Sequence, residues 1–402
     1  MARRLRVLLF STLYPSSVQP SHGIFVQTRL RHLLASGEVD VRVIAPVPWF
    51  PFTHPRFGEY AAFAAVPRQE QRLGIDVRHP RFVRLPKVGM STAPFTLAAS
   101  GLAEARRLQA EGFDFDLIDA HYFYPDGVAA VLIGRATGKP VTITSRGTDI
   151  NLIPEHVLPR RMILKAAKHS AHMITVCRAL KDELVGLGAE AEKITVLRNG
   201  VDLELFRPED RTVARAHFGM QGFNLVSVGH LIERKGHHHV IDAMPALEDA
   251  TLRIAGSGPE EAALREQARA RGVEDRVHFV GSLHQDSLRT LYNAADALVL
   301  ASSREGWANV LLEAMACGTP VVASDVWGTP EVVAAPEAGV LMHALSAAGV
   351  AQGVERLRAA LPERTRTRRY AEAFDWNSTT HGQLQIFRRA LASRVDGLAA
   401  NA

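Results

Sequence analysis

The chain has 402 residues, with 47 Lys plus Arg against 42 Asp plus Glu, a 47% apolar fraction and two cysteines. This length predicts roughly two or three domains with cores of their own, and near-even charge with abundant apolar residues excludes a disordered tail protein. Cys177 and Cys317 are too few for a disulfide scaffold and fit a reducing compartment, while no apolar run reaches the roughly 18–20 residues that span a bilayer.

Residues 1–10 have the basic opening of a signal peptide, but the apolar stretch breaks at Ser11-Thr12 and no small-residue cleavage site follows. They read as the first buried strand of a cytoplasmic protein. Short β-branched runs then recur, each followed by a helical stretch: 7–10, 41–45, 117–118, 141–144 and 173–176, then 225–228, 252–255, 277–280, 297–300 and 320–323. Such alternation predicts parallel sheets covered by helices on both faces, an α/β chain. Loop chemistry around Pro208 places a linker at 205–222 between a domain at 1–204 and a second at 223–375, with helices over 376–402 packing back on the first. Charge divides along the same seam. Residues 1–200 hold 26 Lys plus Arg and 17 Asp plus Glu, net +9, whereas the remainder holds 21 and 25, net −4.

Two elements of the second half carry chemistry. In Ala301–Ala323 a strand ends, a loop presents Glu305-Gly306, and a helix begins near Asn309 with Glu313 two turns in. A helix N-terminus offers unpaired N–H groups and partial positive charge to a phosphate, and a carboxylate suits pairs of sugar hydroxyls. In Val226–His237 a strand runs into Gly229-His230-Leu231, then Arg234-Lys235-Gly236. Cations at a strand mouth are placed to neutralise a diphosphate.

Glu305-Gly-Trp-Ala-Asn-Val-Leu-Leu-Glu313, preceded by Gly229-His-Leu and Arg234-Lys-Gly236, resembles the paired motifs of the family 4 retaining glycosyltransferases of GT-B fold. Further similar segments are His22-Gly23, Asp119-Ala-His121, Gly147-Thr-Asp149, Asn199-Gly-Val-Asp202 and Gly256-Ser-Gly-Pro259, so the resemblance runs through nearly the whole chain. It implies two Rossmann-like, doubly wound parallel-sheet domains facing a central cleft. It also implies transfer of a sugar from a nucleoside-diphosphate sugar with retention of configuration and without a metal or other cofactor. Glu305 would hold hydroxyls of the transferred sugar, Glu313 the ribose, and Lys235 the diphosphate, with backbone N–H groups at Asn309 and Val310 completing the cradle. His121 would sit beside the donor sugar, and Gly23 would let the backbone approach the phosphates.

One position departs from the family pattern. His230 stands where the family usually has arginine, and a neutral imidazole cannot reproduce a guanidinium fork; Arg234 is expected to compensate. His237-His-His239 is not expected to bind metal, because adjacent helical residues point about 100° apart, and Gly256-Ser-Gly258-Pro259 lacks the third glycine of a dinucleotide loop. On the acceptor side, Trp49, Arg56 and Asp149 are candidates. A basic amphipathic stretch at 154–172, with Arg160, Arg161, Lys165 and Lys168, suits an anionic membrane surface. The acceptor is accordingly expected to be a carbohydrate or a lipid-linked molecule, as in surface polysaccharide or glycolipid assembly, with no nucleic acid partner. A nucleotide-sugar epimerase of the same fold, or a catalytically silent scaffold subunit, are the alternatives.

Overall fold

The computed structural model describes residues 3–85 and 89–399. The first two residues of the opening strand segment and the last three of the C-terminal segment lie outside the described residues. The chain divides into two compact units, residues 1–197 with 377–402, and residues 198–376.

The strands of the first unit are β1 (Leu5–Phe10), β2 (Val39–Ile44), β3 (Val47–Pro48), β4 (Gln69–Arg72), β5 (Ile75–Arg78), β6 (Arg81–Phe82), β7 (Leu117–His121), β8 (Val141–Ser145), β9 (His172–Thr175) and β10 (Ile194–Val196). Eight of them form one sheet in the order β10-β9-β8-β7-β1-β2-β5-β4, while β3 and β6 pair separately. All neighbours in the large sheet run parallel except β4 and β5. β7 and β8 are buried along their whole length, as a sheet covered on both faces requires. The helix Ile24–Ala35 turns Val26, Leu30 and Leu33 inward at helical spacing. They join Val7, Leu9, Val41 and Val43 in a core that also takes Leu384 and Phe387 from the C-terminal helix Trp376–Ala399.

The second unit contains β11 (Phe223–Val228), β12 (Ala250–Ala255), β13 (Val277–Gly281), β14 (Ala297–Leu300), β15 (Val321–Ser324) and β16 (Gly339–Met342). They form a wholly parallel sheet in the order β13-β12-β11-β14-β15-β16. That is the doubly wound order, in which the direction of strand addition reverses between β11 and β14. In the first unit the same reversal falls between β1 and β7. Ligands of open α/β sheets bind outside the carboxyl ends of the strands at such a point, so the loops after β1, β7, β11 and β14 are where chemistry belongs.

The segment 205–222, expected as a linker, lies inside the second unit. Asp210 caps the helix Arg211–Phe218 by accepting from Thr212 N and Val213 N, and Arg211 and Arg215 from that helix hold Asp296 at the start of β14. The boundary instead falls at Leu197 and Arg198.

Candidate functional site

In the second unit the loops after β11 and β14 are joined by successive bonds. Lys235 ends a short turn, Glu233–Lys235, and Gly236 follows with φ of 68°. A Cβ on Gly236 would stand 1.8 Å from the Ala301 carbonyl oxygen, so only glycine lets the two loops approach this closely. Ser303 N then donates to Arg234 O at 2.9 Å, and Arg234 donates to Arg304 O at 2.7 Å. Lys235 Nζ donates to Glu305 Oε1 at 2.5 Å, with the Arg234 guanidinium 3.9 Å from the same oxygen. Glu305 is 7% exposed. The sequence-derived acid and cation are therefore one ion pair, held by backbone geometry at the reversal point of the sheet.

His230 Nδ1 lies 2.6 Å from Ser257 O, and since a carbonyl only accepts, Nδ1 carries the proton and donates it. Burial, with Lys235 and Arg234 nearby, lowers its pKa, so the ring is neutral near pH 7. The charge in this turn resides on Arg234 and Lys235. Glu313, on the helix Asn309–Ala316, accepts from Tyr292 Oη at 3.1 Å, and burial pushes its carboxyl up to about 7. The expected N–H cradle is only partly available. Asn309 N is already donated to Trp307 O at 3.1 Å, because the chain folds back on itself before the helix starts, and the Asn309 side chain accepts from Asn199 at 3.3 Å. Val310 is the next residue of the same first turn and is half-buried. Sequence reasoning passed over Trp307, which is 7% exposed and whose indole N–H is buried without a partner between Glu305 and Asn309.

In the first unit the loop after β1 closes through Gly23, whose φ of 68° starts the helix Ile24–Ala35. A Cβ there would stand 2.3 Å from the Leu13 backbone. Asp126, wholly buried, accepts from Thr12 N and from Thr12 Oγ1, and burial pushes it up to about 7. His121 ends β7 at 1% exposure with both ring nitrogens engaged. Arg146 donates to Nδ1 at 2.5 Å, and since a guanidinium cannot accept, the imidazole proton sits on Nε2 and goes to Asp119 Oδ2 at 3.1 Å. Gln383 from the C-terminal helix donates to the same Asp119 oxygen at 2.8 Å and accepts from Arg29 Nε at 2.8 Å. Burial, only partly opposed by the Asp119 carboxylate, pushes His121 down to about 4. His121 is thus a neutral ring held on both sides, and neither of its nitrogens is open to a sugar. Arg146, at the mouth of β8 and half-buried, was missed by sequence reasoning, as were Arg29 and Gln383 of the same network. Its clue was its position directly before Gly147.

Residues 23–205 match the family model described as Glycosyltransferase Family 4, and residues 214–374 the model described as Glycosyl transferases group 1. A D-inositol 3-phosphate glycosyltransferase of Frankia alni is 30% identical over 79% of this chain and 85% of its own length. The chain belongs to the family 4 glycosyltransferases. TuaC of Bacillus subtilis, whose name assigns it provisionally to teichuronic acid biosynthesis as a glycosyltransferase, is 27% identical over 88% of this chain and 89% of its own. Among solved structures, Anabaena HepE in complex with UDP-glucose superposes with a TM-score of 0.70 at 20% identity, over 97% of this chain and 100% of that one. The fold is therefore the GT-B fold of these glycosyltransferases.

The remaining candidates of this glycosyltransferase are placed as follows. Asp149 is not offered to an acceptor: it is wholly buried and its oxygens accept from Phe123 N at 2.6 Å, Gly147 N at 2.7 Å and Arg146 N at 3.0 Å. It is a clamp that shapes the loop after β8. Trp49 is 55% exposed, and Arg56 is exposed with its guanidinium over the Phe57 ring at 4.7 Å. The helix Val157–His169 buries Ile163, Ala166 and Ala167 in the first unit, so much of its apolar face is spent on the fold while Arg160, Arg161, Lys165 and Lys168 point outward. No described helix is long and apolar enough to cross a membrane. His237 is buried and its Nδ1 lies 2.9 Å from Ser227 Oγ, and the His238 and His239 rings lie 4.0 Å apart between centroids, tilted by 47°. Among the described residues no group of three or more His, Cys, Asp or Glu is gathered as a metal site would require.

Proposed function

We propose that this glycosyltransferase moves a sugar from a nucleoside-diphosphate sugar to an acceptor hydroxyl, with retention of anomeric configuration and without a metal. The observation that carries the reading is the Lys235–Glu305 pair at the reversal point between β11 and β14. The diphosphate lies against Lys235 and Arg234, which take up the negative charge that grows on the leaving group. Glu305, fixed by Lys235, accepts from hydroxyls of the transferred sugar. Glu313 and its Tyr292 partner receive the ribose, where a carboxyl near pKa 7 can accept or donate. Departure of the diphosphate leaves an oxocarbenium-like sugar, the acceptor oxygen bonds to its anomeric carbon on the face just vacated, and the acceptor proton passes to the departing phosphate. Arg234 supplies the charge that His230 does not. The UDP-glucose complex of Anabaena HepE supports a nucleotide-sugar donor.

The similarity to TuaC supports a place in surface polysaccharide or glycolipid assembly, and the net +9 of residues 1–200 fits an anionic acceptor or surface. The test is nuclear magnetic resonance of the glycosidic product. An anomeric coupling matching that of the donor supports the reading, and an inverted one overturns it. Sugar conversion without any acceptor present would instead indicate the epimerase alternative.

A further inference from the structure

The loops at the carboxyl end of the first unit's sheet enclose a cavity of about 390 Å³, within the range of small-molecule sites. Its wall is largely apolar: Leu13 after β1, Pro48 in β3, Phe63 on the helix Glu59–Ala65, Phe82 in β6, Met90 and Tyr124. Polar side chains interrupt that wall, Thr12, His22, Glu59 and Arg84 among them. Tyr14 also lines the cavity, is 3% exposed, and its hydroxyl is buried without a partner.

The apolar surface continues outward from the cavity. Phe63 meets Tyr60 at 6.2 Å between ring centroids, Tyr60 meets Phe50 at 5.3 Å, and Phe50 meets Phe52 at 6.0 Å. Tyr60 and Phe52 are 46% and 55% exposed, and neighbouring Trp49 is 55% exposed. A contiguous run of rings left facing water marks a binding surface rather than a core. Tyr60, Phe50 and Phe52 are not part of the cavity wall, so a ligand that reaches them extends beyond the cavity.

We propose that the acceptor carries a linear apolar chain, whose segment nearest the head group fills this cavity and whose remainder lies along the Tyr60–Phe50–Phe52 ledge. This rests on the glycosyltransferase reading for the acceptor's identity and names its class. Thr12 and His22 belong to the loop at the β1–β7 reversal point, so the polar head, with the hydroxyl to be glycosylated, emerges where ligands of this sheet bind. The polar side chains orient that head while the apolar wall supplies the affinity.

The test uses decyl β-glucoside and benzyl β-glucoside, which share a head and differ in the apolar group, titrated calorimetrically below micelle-forming concentrations. The full-length protein is expected to bind the decyl compound at least tenfold more tightly than the benzyl one. Ala93, which lines the cavity at 9% exposure, is replaced in Ala93→Phe to fill it, with an expected affinity loss of tenfold or more. Tyr60→Ser, on the exposed ledge, should weaken decyl binding severalfold without disturbing the fold, and it decides the matter should Ala93→Phe not melt cooperatively. Equal affinity for the two glucosides, no binding of either, or full decyl affinity in the folded variants overturns the proposal. The largest thermal shift given by any of uridine, guanosine, adenosine, cytidine or thymidine diphosphate is measured in parallel. Its absence in every form would count against the donor reading alone, and its persistence in the variants locates the loss on the acceptor side.

Discussion

Replacing Lys235 by Met removes one charge of the Lys235–Glu305 pair while keeping most of the apolar stem. At 2.5 Å and an effective dielectric constant of about 20, two unit charges attract by roughly 6–7 kcal/mol, but most of that offsets the desolvation of side chains only 16% and 8% exposed. The larger effect of the substitution is that Glu305 is left buried without its nearest cation. Arg234, 3.9 Å away, relieves part of this, so the expected stability loss is about 1–3 kcal/mol by urea denaturation. Adding Glu305→Gln removes the orphaned charge and should restore stability to within about 1 kcal/mol of the parent. Turnover should behave differently. It should fall by roughly 100-fold or more in Lys235→Met, because the contact strengthens as the phosphate leaves, and it should stay low in the double variant. Recovery of turnover together with stability, or turnover within about threefold of the parent in Lys235→Met, would refute a catalytic role for this lysine.

Glu313 gives a pH signature. Its carboxyl stands at about 7 in the folded chain against an ordinary 4.5, so the native state holds the extra proton between those values and stability falls as pH rises through that window. Glu313→Gln should flatten that slope by one carboxyl's share, leaving what Asp126, also raised to about 7, contributes, and at pH 8 it should be the more stable form by on the order of 2–3 kcal/mol; an equal change in stability between pH 5 and pH 8 in parent and variant would disprove it. Gly236→Ala should cost about 2–4 kcal/mol, since its Cβ meets the Ala301 carbonyl, and unchanged melting would contradict the close approach of the two loops. Asp149→Asn places an amide against backbone N–H donors and should lower stability by about 1–3 kcal/mol, with the Michaelis constant for the acceptor unaltered. Treatment with EDTA should leave turnover intact, and loss that added magnesium reverses would contradict the metal-independent reading.

The strand-and-helix alternation was legible because parallel strands buried on both faces are written as uninterrupted β-branched runs, such as Val141-Thr-Ile-Thr144. The edge strand β4, Gln69-Glu-Gln-Arg72, carries no apolar residue and leaves no such trace. Likewise Val47-Pro48 is too short for any periodicity. The Lys235–Glu305 site could be anticipated because Gly229-His-Leu, Arg234-Lys-Gly236 and the Glu305–Glu313 segment resemble the family's paired motifs in order and spacing. What could not be read were contacts set by tertiary packing. The Asn309 N–H is lost to a carbonyl two residues earlier, and His121 is buried between Arg146 and an aspartate that Gln383 reaches from the far end of the chain. Asp149 looked like a functional acid because its type and loop position match one, whereas its oxygens are absorbed by backbone donors that only the folded loop brings together.

The most direct test of the central claim, a nucleotide-sugar donor held by Lys235, Glu305 and Glu313, is a thermal-shift screen of the full chain against nucleoside diphosphates and their sugars, repeated with Glu313→Ala. A ligand that binds only the folded state raises the melting temperature by mass action. At least one nucleoside diphosphate should raise that temperature in the parent and do so markedly less in Glu313→Ala. No shift with any nucleoside diphosphate, or a shift of equal size in the variant, would contradict the account.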